Sequence, residues 1–186
     1  MGGRGSWSKT AKTEGLMIPD NHKPQAPSEK LLAAAFQTIS GNKVSQQVTF
    51  AAVEKKITQN SYETGVIVDQ YGFVLAAYKG TRGSVNFAGE SYKVRGNIVT
   101  HNHPSGSAVF SVADIKVTGS LGGVGIRAAT KTNGTASLVK VSQRADFEGL
   151  AGEYRRFLSH GRSVKEAQDW LSQNAGKYGL KFKVEK

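Results

Sequence analysis

Between Asn97 and Leu121 the sequence changes its period twice, and this narrows the folds open to the chain. Asn97-Ile98-Val99-Thr100-His101 is a short apolar run of the kind that forms a strand. Pro104 and Gly106 then turn the chain sharply. Ser111 follows as a helix cap, and Asp114, Ile115 and Val117 lead on to Leu121 before Gly122-Gly123 ends the helix. A strand joined to a helix by one tight turn calls for layers of both kinds. The flanking segments agree. Residues 64–69 and 73–78 read as strands joined by a hairpin at Gln70-Tyr71-Gly72, and residues 83–95 as one or two edge strands. Two further strands are expected at about 126–130 and 137–141, around the strong hairpin signal Asn133-Gly134. Helices are expected over 29–39 behind a Ser28 cap, over 50–57, over 147–158, and from a Ser163 cap to about Asn174, with a last strand over 180–184. The fold class expected is α/β or α+β, with a central mixed, mostly antiparallel sheet and flanking helices. Residues 1–27 read as a disordered basic tail, 28–60 as an N-terminal helical segment, 61–145 as the core, and 146–186 as C-terminal helices and a strand packed on it.

With 186 residues, 38% of them hydrophobic, the chain is long enough for one well-cored domain with tails. No apolar run approaches the roughly 20 residues of a membrane span. Met1-Gly2-Gly3-Arg4-Gly5-Ser6 has no apolar stretch behind it, so it does not read as a secretory signal. There is no cysteine, which excludes disulfides, thiolate nucleophiles and Cys-type zinc sites, and fits a cytoplasmic protein. The net charge of +11 admits nucleic acid as a partner. It equally describes a solvated basic surface, because Lys and Arg are spread along the chain without a dense run.

Chemistry concentrates where the strand meets the helix. His101 and His103 are two residues apart at a strand end, so their imidazoles project from one face and together can bind one metal ion. Asp114, in the first turn of the helix that follows, is carried back towards the same place. Two histidines and a carboxylate leave the fourth position of a tetrahedral ion to water, the layout of a catalytic site rather than a structural one. His22 in the tail and His160 beside Gly161 read as surface residues, Trp7 as a tail aromatic, and Phe157 and Trp170 as packing positions.

The pattern His101-Asn102-His103-Pro104-Ser105-Gly106, with Ser111 and Asp114 downstream, resembles the signature of the JAMM/MPN metallopeptidases, most closely their RadC-like branch. The match holds at His101, His103, Pro104, Ser111 and Asp114, while Phe110 stands where that branch usually has Pro. The likeness is specific over 97–118 and extends to the fold over about 60–142. It implies a cytidine-deaminase-like fold, zinc held by His101, His103 and Asp114, and Ser111 helping to hold the attacking water or the oxyanion. It also implies an upstream glutamate as general base, for which Glu54, Glu63 and Glu90 are the candidates. Glu63 is preferred because Glu63-Thr64-Gly65-Val66-Ile67 opens the first core strand; Glu90, in a polar, Gly-flanked stretch, comes second.

The activity implied is hydrolysis of an amide bond in a protein or peptide, such as an isopeptide bond of a ubiquitin-like conjugate. The RadC-like branch suggests instead a nucleic-acid-associated factor, and a chain without the base would be a non-catalytic zinc-binding scaffold. The opening Gly2-Gly3-Arg4-Gly5-Ser6 and the His-Asn-His-Pro-Ser-Gly pattern also resemble proteins encoded by bacteriophages and prophages. In that case the place of action would be the host cytoplasm and the substrate could be a structural protein.

Overall fold

Residue alternation along the strands sorts the sheet of this protein into two unlike faces, and only one of them carries the histidines. The computed structural model describes residues 50–87 and 89–186. The expected tail, the helix expected over 29–39, Trp7 and His22 lie outside the described residues. Within them the strands are β1 Thr64–Val68, β2 Val74–Lys79, β3 Ile98–Asn102, β4 Gly125–Ala129, β5 Thr135–Lys140 and β6 Leu180–Glu185. The helices are α1 Phe50–Ile57, α2 Ser91–Val94, α3 Val112–Ser120, α4 Phe147–Leu158 and α5 Val164–Asn174. One six-stranded sheet has the order β2-β1-β3-β4-β5-β6. β3 and β4 run parallel, and the other neighbours run antiparallel. A parallel pair needs a crossover, and α3 supplies it. The fold is therefore mixed α/β with a mostly antiparallel sheet and flanking helices. Among the described residues no helix is long and apolar enough to cross a membrane.

On the first face Ile67, Ala76, Tyr78 and Val99 pack with Phe87, Val94 and Leu121. Ile126, Ala128, Ala136 and Leu138 continue that face beneath α3, α4 and α5, where Leu150, Tyr154 and Leu171 are fully buried. Each such side chain withdraws enough apolar surface to contribute roughly 1.5–3 kcal/mol before entropy is set against it. Tyr154, Phe157 and Trp170 stack on one another, so the packing role expected for the last two is what they perform. On the second face Val66, Val68 and Ala77 meet Val53 and Ile57 of α1. Glu54 of the same helix lies buried there, with Arg127 Nε at 2.6 Å and Thr100 Oγ1 donating at 2.9 Å. Several hydrogen bonds on one buried carboxylate offset the cost of taking the pair out of water.

The segment expected to give edge strands over 83–95 folds otherwise. It is a loop followed by the four-residue helix α2. Gly89 has a φ of 87°, outside the strand region, and Val94 N–H bonds back to the Glu90 carbonyl. The apolar residues of this segment are isolated anchors. Phe87 and Val94 plug into the core from irregular backbone rather than alternating along an extended one.

Candidate metal centre

His101 is the fourth residue of β3, and His103 follows just past the strand, where its N–H still bonds to the Ala129 carbonyl at 2.8 Å and prolongs the ladder. Extended geometry over these residues puts both rings on the α3 side of the sheet. The chain then turns: Gly106 N–H returns to the His103 carbonyl at 3.0 Å, and Gly106 takes a φ of 82° that suits glycine. Ser111 caps α3 in a capping box. Its hydroxyl accepts from Asp114 N–H, and the Asp114 carboxylate accepts from Ser111 N–H at 2.7 Å. The cap thus orients the aspartate, whose oxygens stand 3.6 Å from His101 Nε2 and 3.8 Å from His103 Nε2.

The donor set fits a metal ion. His103 Nδ1 lies 2.8 Å from the Ser107 carbonyl, which can only accept, so Nδ1 carries the hydrogen and Nε2 offers a lone pair. His101 Nε2 lies 2.8 Å from His103 Nε2, so a proton or a cation must stand between the two nitrogens. His101 Nδ1 is buried and has no hydrogen-bond partner among the described residues. A tetrahedral ion with bonds of about 2.0–2.1 Å separates its ligands by roughly 3.3–3.4 Å; His101 Nε2 and Asp114 Oδ1 stand close to that at 3.6 Å, and the two Nε2 atoms are nearer at 2.8 Å. Burial is the foremost cause holding the His101 imidazole below its ordinary pKa; Asp114 pulls it back up, His103 adds to the lowering, and the Arg127 backbone opposes it. It therefore stays neutral, as a metal ligand must. His101, His103 and Asp114 form a group that could hold a metal ion.

Of the three glutamates, the fold brings only Glu63 to this place. Glu63, Gly65 and Ile67 alternate with Thr64 and Val66, so Glu63 faces the histidine side. It lines the same cavity, of about 350 Å³, as His101, His103, Ser111 and Asp114. Glu63 is only 7% exposed. Burial first, and the charge of Asp114 second, push its carboxyl up to about 8. Glu54 is committed to Arg127 on the opposite face of the sheet. Glu90 does not line the cavity, and its carboxylate pairs with Lys93 at 2.9 Å. Ser111 caps α3 through its oxygen and keeps its hydroxyl hydrogen to donate. His160 is exposed on the far end of α4 and contributes nothing to the site.

Two positions escaped the reading of the sequence. Asn102, between the histidines, is buried and points to the other face. Its Oδ1 accepts from Thr64 N–H at 2.6 Å, and its Nδ2 donates to the Tyr62 carbonyl at 3.0 Å. It thereby holds both neighbours of Glu63 and ties the carboxylate's strand to the histidines' strand. The only signal was an amide between two histidines, and its partners lie 38 and 40 residues away. Arg82 is the second. With His103 and Ser105 it lines both the cavity and an adjoining groove of about 740 Å³, so the two adjoin at His103.

These features define an α/β domain with a candidate His-His-Asp metal centre and a buried carboxyl group beside it. Compared with family models, with curated proteins and with solved structures, the chain matches none.

The raised pKa of Glu63 has a measurable consequence. In the metal-free protein Glu63 is largely protonated at pH 7, since its folded pKa of about 8 lies above that pH. A bound cation opposes both causes of the shift, so the pKa falls and the proton leaves. Zinc binding at pH 7 is therefore expected to release close to one proton per chain from this residue. Calorimetric titration in buffers of different ionisation enthalpy measures it. Glu63→Gln should lack that proton, and equal release from both proteins would refute the assignment.

Proposed function

We propose that the protein is a zinc-dependent amide hydrolase of JAMM/MPN type, with zinc on His101, His103 and Asp114 and with Glu63 as general base. The observation that supports this best is that the three donors and a buried, high-pKa carboxyl group line one cavity. The chemistry of each part follows from its place. Zinc bound there would supply Lewis acidity, polarising a carbonyl and making water acidic near neutral pH. Glu63 accepts a proton from the attacking water and gives it to the leaving nitrogen as the C–N bond breaks. A cation in the site would hold the Glu63 carboxyl ionised, ready to take the water's proton. The Ser111 hydroxyl donates to the carbonyl oxygen as negative charge grows on it. Asn102 keeps Glu63 in register with the histidines. The low exposure of Glu63 and His101 keeps bulk water from competing for either.

Substrates would be proteins or peptides, with isopeptide bonds of ubiquitin-like conjugates and peptide bonds of a structural protein as the two classes the family resemblance suggests. The test is to incubate the zinc-loaded full chain with denatured protein and with isopeptide-linked conjugates, and to map new amino groups by mass spectrometry. Cleavage that chelation abolishes and zinc restores is the expected result. A preparation holding one zinc per chain that frees no amine from either class would dispose of the proposal.

A further inference from the structure

The groove of about 740 Å³ beside His103 carries two cations, and among the described residues no Asp or Glu lines it. Four segments meet there at one end of the sheet. In lateral order they are the loop after β2, the segment leading into β1, the turn after β3 and the hairpin between β4 and β5. Arg82 stands on the first and Lys131 on the last, with His103 between them. The strands that lead to those two loops are three spacings apart, about 14 Å, which an extended peptide covers in about four residues. Both loops are anchored. Glu63 N–H donates to the Thr81 carbonyl at 2.6 Å, and Thr81 N–H to the Ser84 carbonyl at 2.8 Å. On the other side Asn133 Nδ2 donates to the Gly106 carbonyl at 2.8 Å and ties the hairpin to the turn that follows His103. The Arg82 and Lys131 side chains are exposed, and neither has an ion-pair or hydrogen-bond partner among the described residues. Lys93, Arg127, Arg156, Arg162 and Lys165, by contrast, each pair with an acid. A free positive charge near His103 opposes a metal ion instead of helping to hold it, so the metal centre does not account for either cation.

We propose that this groove takes an acidic stretch of the substrate chain, with Asp or Glu carboxylates near the scissile amide paired to Arg82 and Lys131. The inference rests on the hydrolase reading above for its chemistry, but the charge of the groove is independent of it. Arg82 lines the cavity as well as the groove, so a carboxylate held there lies beside the candidate metal centre; one held by Lys131 lies across the His103 turn. Single-stranded nucleic acid is the other polyanion of suitable width, but its bases need aromatic faces to stack on. Apart from His103, no aromatic residue lines the groove among the described residues. A polypeptide needs hydrogen-bonding groups along its backbone, which the exposed hydroxyls of Ser61, Ser105 and Thr132 offer. The preference narrows both substrate classes and removes neither, since acidic residues can neighbour a peptide bond or the lysine of a conjugate. It leaves the residue at the cleaved carbonyl open, glycine included.

Two end-blocked octapeptides, one alternating Glu with Ala and the other Gln with Ala, test this against the full chain with and without zinc. In low salt the Glu peptide is expected to bind about 2- to 30-fold more tightly, as two exposed ion pairs allow, and to shift the side-chain amide resonances of Gln59 and Asn133. Its advantage should vanish near about 1 M salt, where exposed charges are screened, and should be present in the metal-free chain too. Arg82→Gln combined with Lys131→Gln should erase it at unchanged zinc content. Both side chains are exposed and unpartnered among the described residues, so the fold loses no contact. Lys181→Gln combined with Lys183→Gln removes the same charge from exposed positions on β6 and should leave the preference intact. Equal affinity for the two peptides overturns the proposal. So does an equal loss in both double variants, which assigns the attraction to net charge, or a preference that survives at Arg82 and Lys131, which assigns it to the metal or another surface. A thymidine oligonucleotide that binds more tightly than the Glu peptide, and is lost with the same two cations, gives the groove to nucleic acid instead. Glu-peptide binding in the groove without hydrolysis of any amide keeps the groove and removes the hydrolase. Hydrolysis indifferent to nearby acids does the reverse.

Discussion

His103→Ala is expected to leave a folded protein that no longer retains zinc. His103 sits just past the end of β3 with its ring partly exposed, so truncation removes little buried surface. Its backbone N–H, which prolongs the sheet, is untouched. The metal loses one of three protein ligands. Structural zinc sites of four ligands gain about 10–16 kcal/mol, or roughly 2.5–4 kcal/mol per ligand, so affinity should fall by about 100- to 1000-fold. Metal analysis after dialysis, with circular dichroism and thermal melting on the same sample, reads both halves of the statement. Zinc retained at one per chain in the variant would mean that the metal is held elsewhere. His101→Ala is the poorer experiment, because His101 is fully buried and its removal opens a hole in the core.

Glu63→Gln is expected to keep zinc and lose hydrolysis. The substitution is nearly isosteric, and it replaces a group that the fold already holds largely protonated at neutral pH. It therefore costs the fold little. The sign of the linkage points the same way. A carboxyl whose folded pKa exceeds its unfolded value destabilises the native state progressively as pH rises from the unfolded value, 4.5, to the folded one, about 8. Glutamine removes that penalty, so the variant should melt at or above the wild-type temperature when the metal-free proteins are compared above pH 8. Its hydrolytic rate should fall by about 10²–10⁴-fold, the usual worth of a general base, or roughly 3–5 kcal/mol on the barrier. Single-turnover rates and metal content measured together decide it. A rate within tenfold of wild type at full zinc occupancy would mean that the proton goes through another group.

Much of the layout could be read along the chain because its signals are local. The strand ending in His101, the Gly106 turn, the Ser111 cap, the helix over 147–158 and the helix behind Ser163 each depend on a few neighbouring residues. The structure reproduces them closely, as with Phe147–Leu158 and the capping box at Ser163. The residues over 83–95 form a loop and a short helix instead of edge strands because each apolar residue there is a separate anchor. Phe87 and Val94 are buried by contacts with Tyr78, Val99 and Leu121, and nothing within 83–95 announces those partners.

The candidate triad lies within fourteen residues, and strand period, turn and cap are enough to bring it together. That is why His101, His103 and Asp114 could be named from sequence alone. Selecting Glu63 over Glu54 and Glu90 was a different kind of question. All three are glutamates near ordered segments, and they differ only in which face of the sheet they meet. Pairing of β1 with β3, held by Asn102 across 38 residues of chain, turns Glu63 towards the histidines, while Arg127 holds Glu54 on the opposite face. The depth of the cavity and the pKa of the carboxyl group beside it likewise come from burial by distant segments. Local sequence determines which donors can meet one ion; the packing of remote strands decides which acid stands beside them and which charges border the adjoining groove.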